Sequence, residues 1–261
     1  MIRAGIDAGA SRTKVVIVRG GEVLAETAVL AGLSDVGRTA RQALSQACEQ
    51  AGIALGEVDV SAATGFGRRH LEFVSRQFTE GVCLARGVSW LWPEVGTVLD
   101  VGFQKSLAVT CDRGRPLKMK SNDRCASGSG RFLEMVADIF GVGFNELGPL
   151  SLKAARPVEV ENTCAVFAES EIITLVHRGK PPQEIIRGVH QALARRVYTL
   201  LLQVDWSEDL CLVGGMAKNP GFVRELEALV GVSVVIPPEH EITAPLGAAL
   251  SLAPEVEAGI C

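Results

Sequence analysis

The chain has 261 residues, of which 48% are hydrophobic and 21% are charged. This is enough apolar material for the core of one large or two modest globular domains, and it excludes a disordered chain. Lysine and arginine number 26 against 30 acidic residues, so no broad positive surface for nucleic acid is expected. No apolar run reaches the roughly 18 to 20 residues of a membrane span, and Asp7 comes too early for a signal peptide. We therefore expect a cytoplasmic protein that binds neither nucleic acid nor membrane.

The first segment, "IRAGIDAGASRTKVVIVRGGEVLAET" from Ile2, predicts a strand, a tight polar turn, a second strand, a glycine hairpin and a third strand. The turn combines a strand-end aspartate with glycine and hydroxyl groups. Backbone amides and hydroxyls of this kind can grip a phosphate while the carboxylate holds Mg²⁺ through water, although one such turn is more often a plain hairpin. The residues of this candidate phosphate turn are Asp7, Gly9, Ala10, Ser11, Thr13 and Lys14.

Two helical patterns follow, over residues 36–51 and 69–77. The next stretch, "SWLWPEVGT" from Ser89, contains a proline and a glycine and predicts a boundary. We expect a first half over residues 1–92 and a second half over residues 93–261.

The second half begins with a repeat of the first, because "TVLDVGFQKSLAVTCDRGRPLKMK" from Thr97 has the same pattern. A shift of 93 residues aligns Asp7 with Asp100, Gly9 with Gly102, Gly21 with Gly114, and the expected core residue Leu24 with Leu117. Finding the Asp-x-Gly turn at equivalent places of a repeat favours phosphate binding over a plain hairpin. The second candidate turn comprises Asp100, Gly102, Phe103, Gln104 and Lys105.

Further helical patterns cover residues 131–140, 166–178 and 182–203. Strands that alternate with helices predict an α/β fold of two similar halves with a cleft between them. A third glycine turn, "CLVGGMAKNPGF" from Cys211, ends a strand where a base or ribose could approach the backbone closely. Its candidate adenosine-binding residues are Gly214, Gly215, Met216 and Lys218.

Two of the seven cysteines stand where predicted helices start: Cys164 precedes one helix, and Cys125 precedes the glycine and serine loop that opens another. Amides and the helix dipole favour a thiolate at such places. A four-iron four-sulfur cluster needs four thiolate ligands, and a two-fold dimer would supply them from this pair. The alternative to cluster binding is that Cys125 is a small residue in a turn and that Cys164 is a buried thiol. The remaining cysteines are expected to be small buried residues, and the four histidines to be surface or capping residues.

The three glycine turns resemble those of the superfamily of actin, heat-shock chaperones, sugar kinases and acetate kinases. The resemblance implies a duplicated ribonuclease-H-like (actin-like ATPase, ASKHA) fold, with ATP or ADP and Mg²⁺ in the cleft between the halves and a hinge closure that follows the nucleotide state. It implies catalytic carboxylates at Asp7 and Asp100, and Gln104 as the residue that orients the attacking water.

A narrower resemblance covers nearly the whole chain. The motifs "NDRCASGSGRFLE", "TCAVFAESEI", "GGMAKN", "DAGASRTK", "ATGFGRR", "WPEV" and "PLGAAL" are similar to those of the ATP-dependent activators (component A) of 2-hydroxyacyl-CoA dehydratases. That family, the BadF-BadG-BcrA-BcrD ATPases, includes the ATPase subunits of benzoyl-CoA reductases and the reductases of double-cubane cluster proteins. The resemblance implies a homodimer that shares one four-iron four-sulfur cluster, ligated by Cys125 and Cys164 of each subunit.

The same resemblance implies an ATP-hydrolysing reductase that takes one electron from ferredoxin or flavodoxin. It would pass this electron to a dehydratase, a benzoyl-CoA reductase or a double-cubane protein. The second phosphate motif departs from the family pattern Asp-x-Gly-Gly-Gln-Asp at Phe103 and Lys105, and a lysine cannot act as a carboxylate base. Two alternatives remain: a small-molecule kinase for a sugar or short acid, and a nucleotide-gated sensor without productive catalysis.

Overall fold

The computed structural model describes residues 1–31, 35–122, 126–160 and 164–252. Contacts between Cα atoms divide the chain into two compact units. Unit 1 contains Met1–Val98, Val109–Leu117 and the residues from Glu241 onward, and unit 2 contains Leu99–Ala108 and Lys118–His240. These units differ in extent from the predicted halves because residues 93–98, 109–117 and 241–252 belong to unit 1. Within the described ranges, no helix is long and apolar enough to cross a bilayer.

Unit 1 is built on a five-stranded sheet with the order β3-β2-β1-β4-β5. Its strands are β1 (Ile2–Ala8), β2 (Arg12–Arg19), β3 (Glu22–Leu30), β4 (Val60–Thr64) and β5 (Arg76–Gln77). The first three strands pair antiparallel, as the sequence predicts, whereas β4 runs parallel to both β1 and β5. Both faces of β1 are buried, so helices must cover the sheet on both sides.

Helix α1 (Val36–Gln50) covers one face of this sheet, where its alanines and Leu44 pack against Ile6 and Ile17. The helix begins where predicted because the Asp35 side chain accepts a hydrogen bond of 2.8 Å from the Arg38 amide. Helix α2 (Glu80–Leu91) packs against the helix at residues 243–250, which lies against β1, β2 and β4 on the other face of the sheet.

The predicted helix over residues 69–77 is wrong. The chain forms a 3₁₀ turn at Arg68–His70, and β5 follows. The Ser75 and Phe78 amides donate to the carbonyls of Ser61 and Ala63, each at 2.9 Å, which joins this segment to β4. Pairing with a neighbouring strand therefore overrides the local helical pattern.

The second sheet has the order β8-β7-β6-β9. Its strands are β6 (Thr97–Val101), β7 (Ser106–Asp112), β8 (Arg115–Ser121) and β9 (Leu210–Val213). The predicted meander of three strands is confirmed. The prediction that Leu117 is a core residue equivalent to Leu24 is wrong: β8 is an edge strand, none of its seven residues is buried, and Leu117 is 66% exposed.

The helices of unit 2 are α3 (Gly130–Phe140), α4 (Leu147–Leu152), α5 (Ala165–His177), α6 (Pro182–Leu201) and α7 (Pro220–Val230). The three predicted helices of this region correspond to α3, α5 and α6, with ends that agree within two residues. Their buried faces form one core together with β6 and β9, in which Phe132, Ile172, Ile185 and Phe222 are almost fully buried.

Helix α8 (Thr243–Leu250) packs in unit 1 against α2 and β1, and glycines let the backbones of these elements come into direct contact. A Cβ atom on Gly247 would lie 1.7 Å from the Cys83 carbonyl oxygen of α2, and one on Gly5 would lie 1.8 Å from the Pro245 carbonyl oxygen of α8. These separations leave no room for a side chain, so α2, β1 and α8 can pack only with glycine at both positions.

We expect Gly247→Ala to lower the free energy of unfolding by about 3 kcal/mol, because the added methyl group must push α8 away from α2. Urea unfolding followed by circular dichroism measures this change. The matched control is Gly56→Ala, where a Cβ atom meets nothing within 4 Å, and it should stay within about 0.5 kcal/mol of the wild type. Equal stability of the two variants would contradict the close approach of α8 to α2.

Candidate functional site

Each unit places an aspartate near the end of its first strand against the backbone of a glycine. Gly65 has a φ angle of +88°, and a Cβ atom there would lie 2.3 Å from Asp7 Oδ1. Gly214 has a φ angle of +85°, and a Cβ atom there would lie 2.3 Å from Asp100 Oδ1. In both units the next contact is the carbonyl oxygen of the residue after the aspartate, at 2.8 and 2.7 Å. The two units therefore build the same local structure around their carboxylates.

The turns after these aspartates are also equivalent. A Cβ atom on Gly9 would lie 2.6 Å from the Arg12 carbonyl oxygen, and one on Gly102 would lie 3.1 Å from the Lys105 carbonyl oxygen. The 93-residue shift is thus confirmed in local geometry, and it pairs Lys105 with Arg12. Lys105 departs from the family pattern, but it gives the second turn a basic residue at the place where the first turn already has one.

The sheet register separates the predicted residues of the first turn. Asp7 lies directly opposite Lys14 on β2 and opposite Thr64 on β4, so these three residues share one face. Thr13 lies opposite Ala8, one residue further along, and its buried side chain is on the other face of the sheet. The structure therefore groups the Lys14 side chain, and not the Thr13 hydroxyl, with the Asp7 carboxylate.

Burial raises the pKa of Asp7 to about 6; Lys14 opposes this rise and Glu80 adds to it. Glu80 lies in the first turn of α2, and no sequence motif marks it as a site residue. An acid in the first turn of a helix is an ordinary feature of sequences. Only the sheet order, which brings β4 and β5 beside β1, places this acid near Asp7.

In unit 2, the second turn is tied to the start of α3. The Gly130 amide donates to the Gly102 carbonyl at 2.9 Å, and the Arg131 amide donates to the Phe103 carbonyl at 2.8 Å. A Cβ atom on Gly130 would also lie 3.6 Å from the sulfur of Met216. The structure thus brings the second candidate turn close to the candidate adenosine turn.

The exposed residues of these two turns are Gln104 and Lys218, whereas Gly215 is half-buried. Met216 is 1% exposed, and its side chain packs in the core of unit 2. A contact between Met216 and a ligand is therefore limited to its backbone.

The two candidate cluster cysteines differ in their setting. Cys164 is the residue immediately before α5, it is half-buried, and no amide of the described residues hydrogen-bonds to its side chain as a cap. The prediction that α5 begins at this cysteine is confirmed. Cys125 lies outside the described residues, so its role stays a prediction; a 3₁₀ turn at Ala126–Gly128 follows it, and α3, the helix predicted over residues 131–140, begins at Gly130.

The cysteines predicted to be small buried residues include Cys48, Cys83, Cys111 and Cys211, and all four are buried. Burial raises the pKa of the Cys83 thiol to about 12, so this thiol stays protonated at neutral pH. Among the described residues, no three histidine, cysteine or acidic side chains are grouped so that they could hold a metal ion.

Helix α5 carries an exposed apolar surface beside Cys164. Val166 is 66% exposed and Phe167 is 71% exposed, and Ile173 and Val176 follow further along the helix at 42% each. Val166 and Ile173 lie seven positions apart, which is about two helical turns, and Val176 lies three positions beyond Ile173, so these three residues lie along one side of the helix.

The expectation that the histidines are surface or capping residues is wrong for His190. Its side chain on α6 is fully buried, and its Nε2 atom lies 3.1 Å from Asn219 Nδ2. Asn219 directly follows the candidate adenosine turn. No sequence pattern predicts this contact, because an isolated histidine in an amphipathic helix can face either the core or the solvent.

Comparison with known proteins places these features in context. The profile of the BadF/BadG/BcrA/BcrD ATPase family matches residues 4–251. The (R)-2-hydroxyglutaryl-CoA dehydratase activating ATPase of Acidaminococcus fermentans is 36% identical over 248 residues, which cover 94% of this chain and 95% of that protein. The activator of lactoyl-CoA dehydratase from Anaerotignum propionicum is 34% identical over 252 residues, which cover 96% of each chain.

Solved structures of dehydratase activators are also similar to this chain. Component A of the A. fermentans dehydratase has a TM-score of 0.92 at 34% identity and covers 96% of this chain and 97% of its own. The activator of the 2-hydroxyisocaproyl-CoA dehydratase from Clostridium difficile, solved with bound ADPNP, has a TM-score of 0.89 at 32% identity, covering 96% and 94%. A glucokinase of the ROK family from Streptomyces griseus shares only the fold, with a TM-score of 0.60 at 13% identity. The predicted α/β fold of the actin-like ATPase type is confirmed.

We expect Asp7→Asn to raise the free energy of unfolding of the nucleotide-free protein by about 1 to 2 kcal/mol near pH 7.5, because the wild type then holds a charge that its burial disfavours. The pKa of Asp7 is higher in the folded protein than its ordinary value of 3.8, so the folded protein takes up a proton as the pH falls through about 6. The wild type gains stability in this window, and the difference should disappear below about pH 4. Urea unfolding at several pH values checks this, with the exposed residue change Asp112→Asn as the control.

Proposed function

Because the chain belongs to the BadF/BadG/BcrA/BcrD ATPase family, we propose that it is an ATP-hydrolysing activase that delivers single low-potential electrons to a partner metalloenzyme. The observation that carries this proposal is Cys164 at the start of α5 in a chain that also builds a carboxylate-and-glycine turn in each unit. A nucleotide site alone would equally suit a kinase. Sugar kinases of this fold lack the cluster cysteines, so the combination favours an activase.

ATP is bound, in this proposal, by the two phosphate turns and the adenosine turn, as the ADPNP-bound relative supports. Asp7 and Asp100 hold Mg²⁺ through water, and Gln104 orients the water that attacks the terminal phosphate. The donor set fits this metal, because Mg²⁺ prefers oxygen ligands and Asp7 lies within the electrostatic influence of a second carboxylate, Glu80. A bound cation would lower the pKa of Asp7 and favour its charged form.

The phosphate chain is held by backbone and basic groups of both turns. The residues assigned to the phosphate chain are Gly9, Ala10, Ser11, Thr13, Lys14, Gly102, Phe103 and Lys105. Gly214, Gly215, Met216 and Lys218 are assigned to the adenosine. Thr13 and Met216 contact the nucleotide through their backbone atoms in this proposal, since both side chains are buried.

Cys125 and Cys164 of each subunit of a homodimer are assigned as the ligands of one shared four-iron four-sulfur cluster. The setting of Cys164 fits this role, because the start of a helix favours an anionic sulfur. When bound, such a cluster supplies a one-electron carrier. The exposed apolar side chains of Val166 and Phe167 support a second copy of the chain packing near this cysteine.

The electron donor is proposed to be ferredoxin or flavodoxin. The acceptor is proposed to be a 2-hydroxyacyl-CoA dehydratase, a benzoyl-CoA reductase or a double-cubane cluster protein, as the names of the relatives support for the first two. A gain of about 300 mV in reducing power for one electron corresponds to roughly 7 kcal/mol, at about 59 mV for each tenfold change in the equilibrium constant. ATP hydrolysis is the source of this free energy in the proposal.

The cluster assignment predicts that Cys125→Ser and Cys164→Ser each remove the bound iron and leave ADP affinity unchanged. Anaerobically purified wild type should contain about two irons per chain, because two subunits share four. Iron and sulfide analysis measures the cluster content, native mass spectrometry measures the oligomeric state, and calorimetry measures ADP binding. The control is Cys48→Ala in α1, which should keep its iron because this cysteine is buried among apolar residues.

Full iron content in Cys164→Ser would reject the ligand assignment. An iron-free, monomeric wild type that forms ADP only with a sugar or short acid would favour the kinase. An iron-free wild type that binds ATP without turnover would favour the sensor, consistent with the changes at Phe103 and Lys105.

The proposed role of Gln104 predicts that Gln104→Ala lowers the rate of ATP hydrolysis at least tenfold, because the attacking water loses its orienting group. The Kd for ADP should change little, since the side chain acts only on the reacting water. Steady-state ADP production and calorimetry separate the two effects. Gln77→Ala, at another exposed glutamine, is the control, and equal rates for both variants would remove Gln104 from the catalytic group.

A further inference from the structure

The buried contact between His190 and Asn219 has a defined direction. Asn219 Oδ1 accepts a hydrogen bond of 3.0 Å from the Phe222 amide and so caps α7. The amide nitrogen of the same side chain therefore faces His190 and donates to Nε2 at 3.1 Å. Since Nε2 accepts, the ring proton of the neutral histidine must lie on Nδ1.

Close packing holds this pair. A Cβ atom on Gly148 of α4 would lie 2.7 Å from Asn219 Oδ1, and one on Gly221 of α7 would lie 2.9 Å from His190 Nδ1. His190 is 0% exposed, Asn219 is 5% exposed, and Nδ1 has no hydrogen-bond partner within the described part of the chain. The two side chains therefore have little freedom to take another arrangement.

The surroundings keep the imidazole neutral. Burial lowers the pKa of His190 to about 3; Glu225 on α7 opposes this shift and Arg224 adds to it. Glu225 is itself bound by Arg187 at 2.9 Å and by Arg224 at 3.0 Å, so its charge is largely compensated. The hydrogen bond from Asn219 thus persists at neutral pH.

Asn219 joins the adenosine turn to α7. The 3₁₀ turn Gly215–Lys218 ends at this residue, whose own amide donates to the Met216 carbonyl at 3.0 Å. Its backbone closes the turn while its side chain begins the next helix. Whatever fixes Asn219 therefore fixes the end of the turn.

We propose that His190 is a positioning residue of the nucleotide site: its Nε2 atom holds Asn219, and through Asn219 it sets the conformation of the turn from Gly214 to Lys218 that receives the adenosine. The inference rests on the proposed function, because it needs this turn to bind the adenosine part of ATP. His190 touches neither nucleotide nor metal in this role. It acts on binding of the base and ribose, and it leaves binding of the phosphate chain unaffected.

The test compares the affinity for ADP with the affinity for magnesium tripolyphosphate, which has the phosphate chain without adenosine. His190→Leu removes the acceptor and should raise the Kd for ADP about five- to tenfold, the effect of one buried hydrogen bond, with no change for tripolyphosphate. His190→Gln offers an amide oxygen as acceptor and should recover most of the ADP affinity. The matched control is Leu201→Ala, a buried change on the same helix that destabilises the protein but should not alter the ADP preference.

A second measurement tests the proposal without the His190→Leu variant, in case that variant does not fold. Nitrogen-15 NMR of the wild type should show the His190 ring protonated on Nδ1. In Asn219→Asp, where a carboxylate oxygen replaces the donor, the proton should move to Nε2 and ADP affinity should stay within about twofold of the wild type.

The outcomes separate the two proposals. A wild type that binds neither ADP nor ATP rejects the nucleotide site, and with it the positioning role. A wild type that binds ADP while His190→Leu loses both ligands equally, or while Leu201→Ala matches His190→Leu, rejects the positioning role alone. A wild-type ring protonated on Nε2 also rejects it, because Nε2 could not then accept from Asn219.

Discussion

The contact between a strand-end carboxylate and the backbone of a glycine is the constraint on which the proposed nucleotide chemistry depends. Gly65 against Asp7 and Gly214 against Asp100 both have φ angles near +85°, and a side chain at either glycine would overlap the carboxylate oxygen. The glycine thus fixes where each carboxylate lies and keeps a neighbouring backbone close to it. Because both units use this arrangement, the duplication preserved the local geometry proposed to bind phosphate and metal while most of the sequence changed.

The two proposed cluster cysteines are linked to the rest of unit 2 in different ways. Cys164 begins α5, whose exposed apolar side chains lie close to it along the helix. The segment after Cys125 leads into α3, whose first amides bind the carbonyls of Gly102 and Phe103 in the second phosphate turn. These two hydrogen bonds connect the second phosphate turn to the start of α3, five residues after Cys125 in the sequence.

Burial controls the protonation of two groups that the nucleotide site would use. It raises the pKa of Asp7 to about 6 and lowers the pKa of His190 to about 3, so both shifts favour the neutral form. The consequences differ. A cation beside Asp7 would lower its pKa again and stabilise the charge that burial disfavours, which suits the proposed metal-binding role. His190 has to stay neutral to accept the hydrogen bond from Asn219, and burial ensures this throughout the physiological pH range.

Local pattern was enough to predict the two meanders, most helices, the glycine turns and the family, because these follow from periodicity, from residues that permit tight turns, and from motif identity. Four further points came from tertiary packing: residues 76–77 join β4, Leu117 is exposed, Glu80 lies near Asp7, and His190 holds Asn219. Each depends on which elements become neighbours after folding. Periodicity shows that a helix has an apolar face or that a strand alternates, but the partner that covers each face is set by sheet order and helix packing across distant parts of the chain.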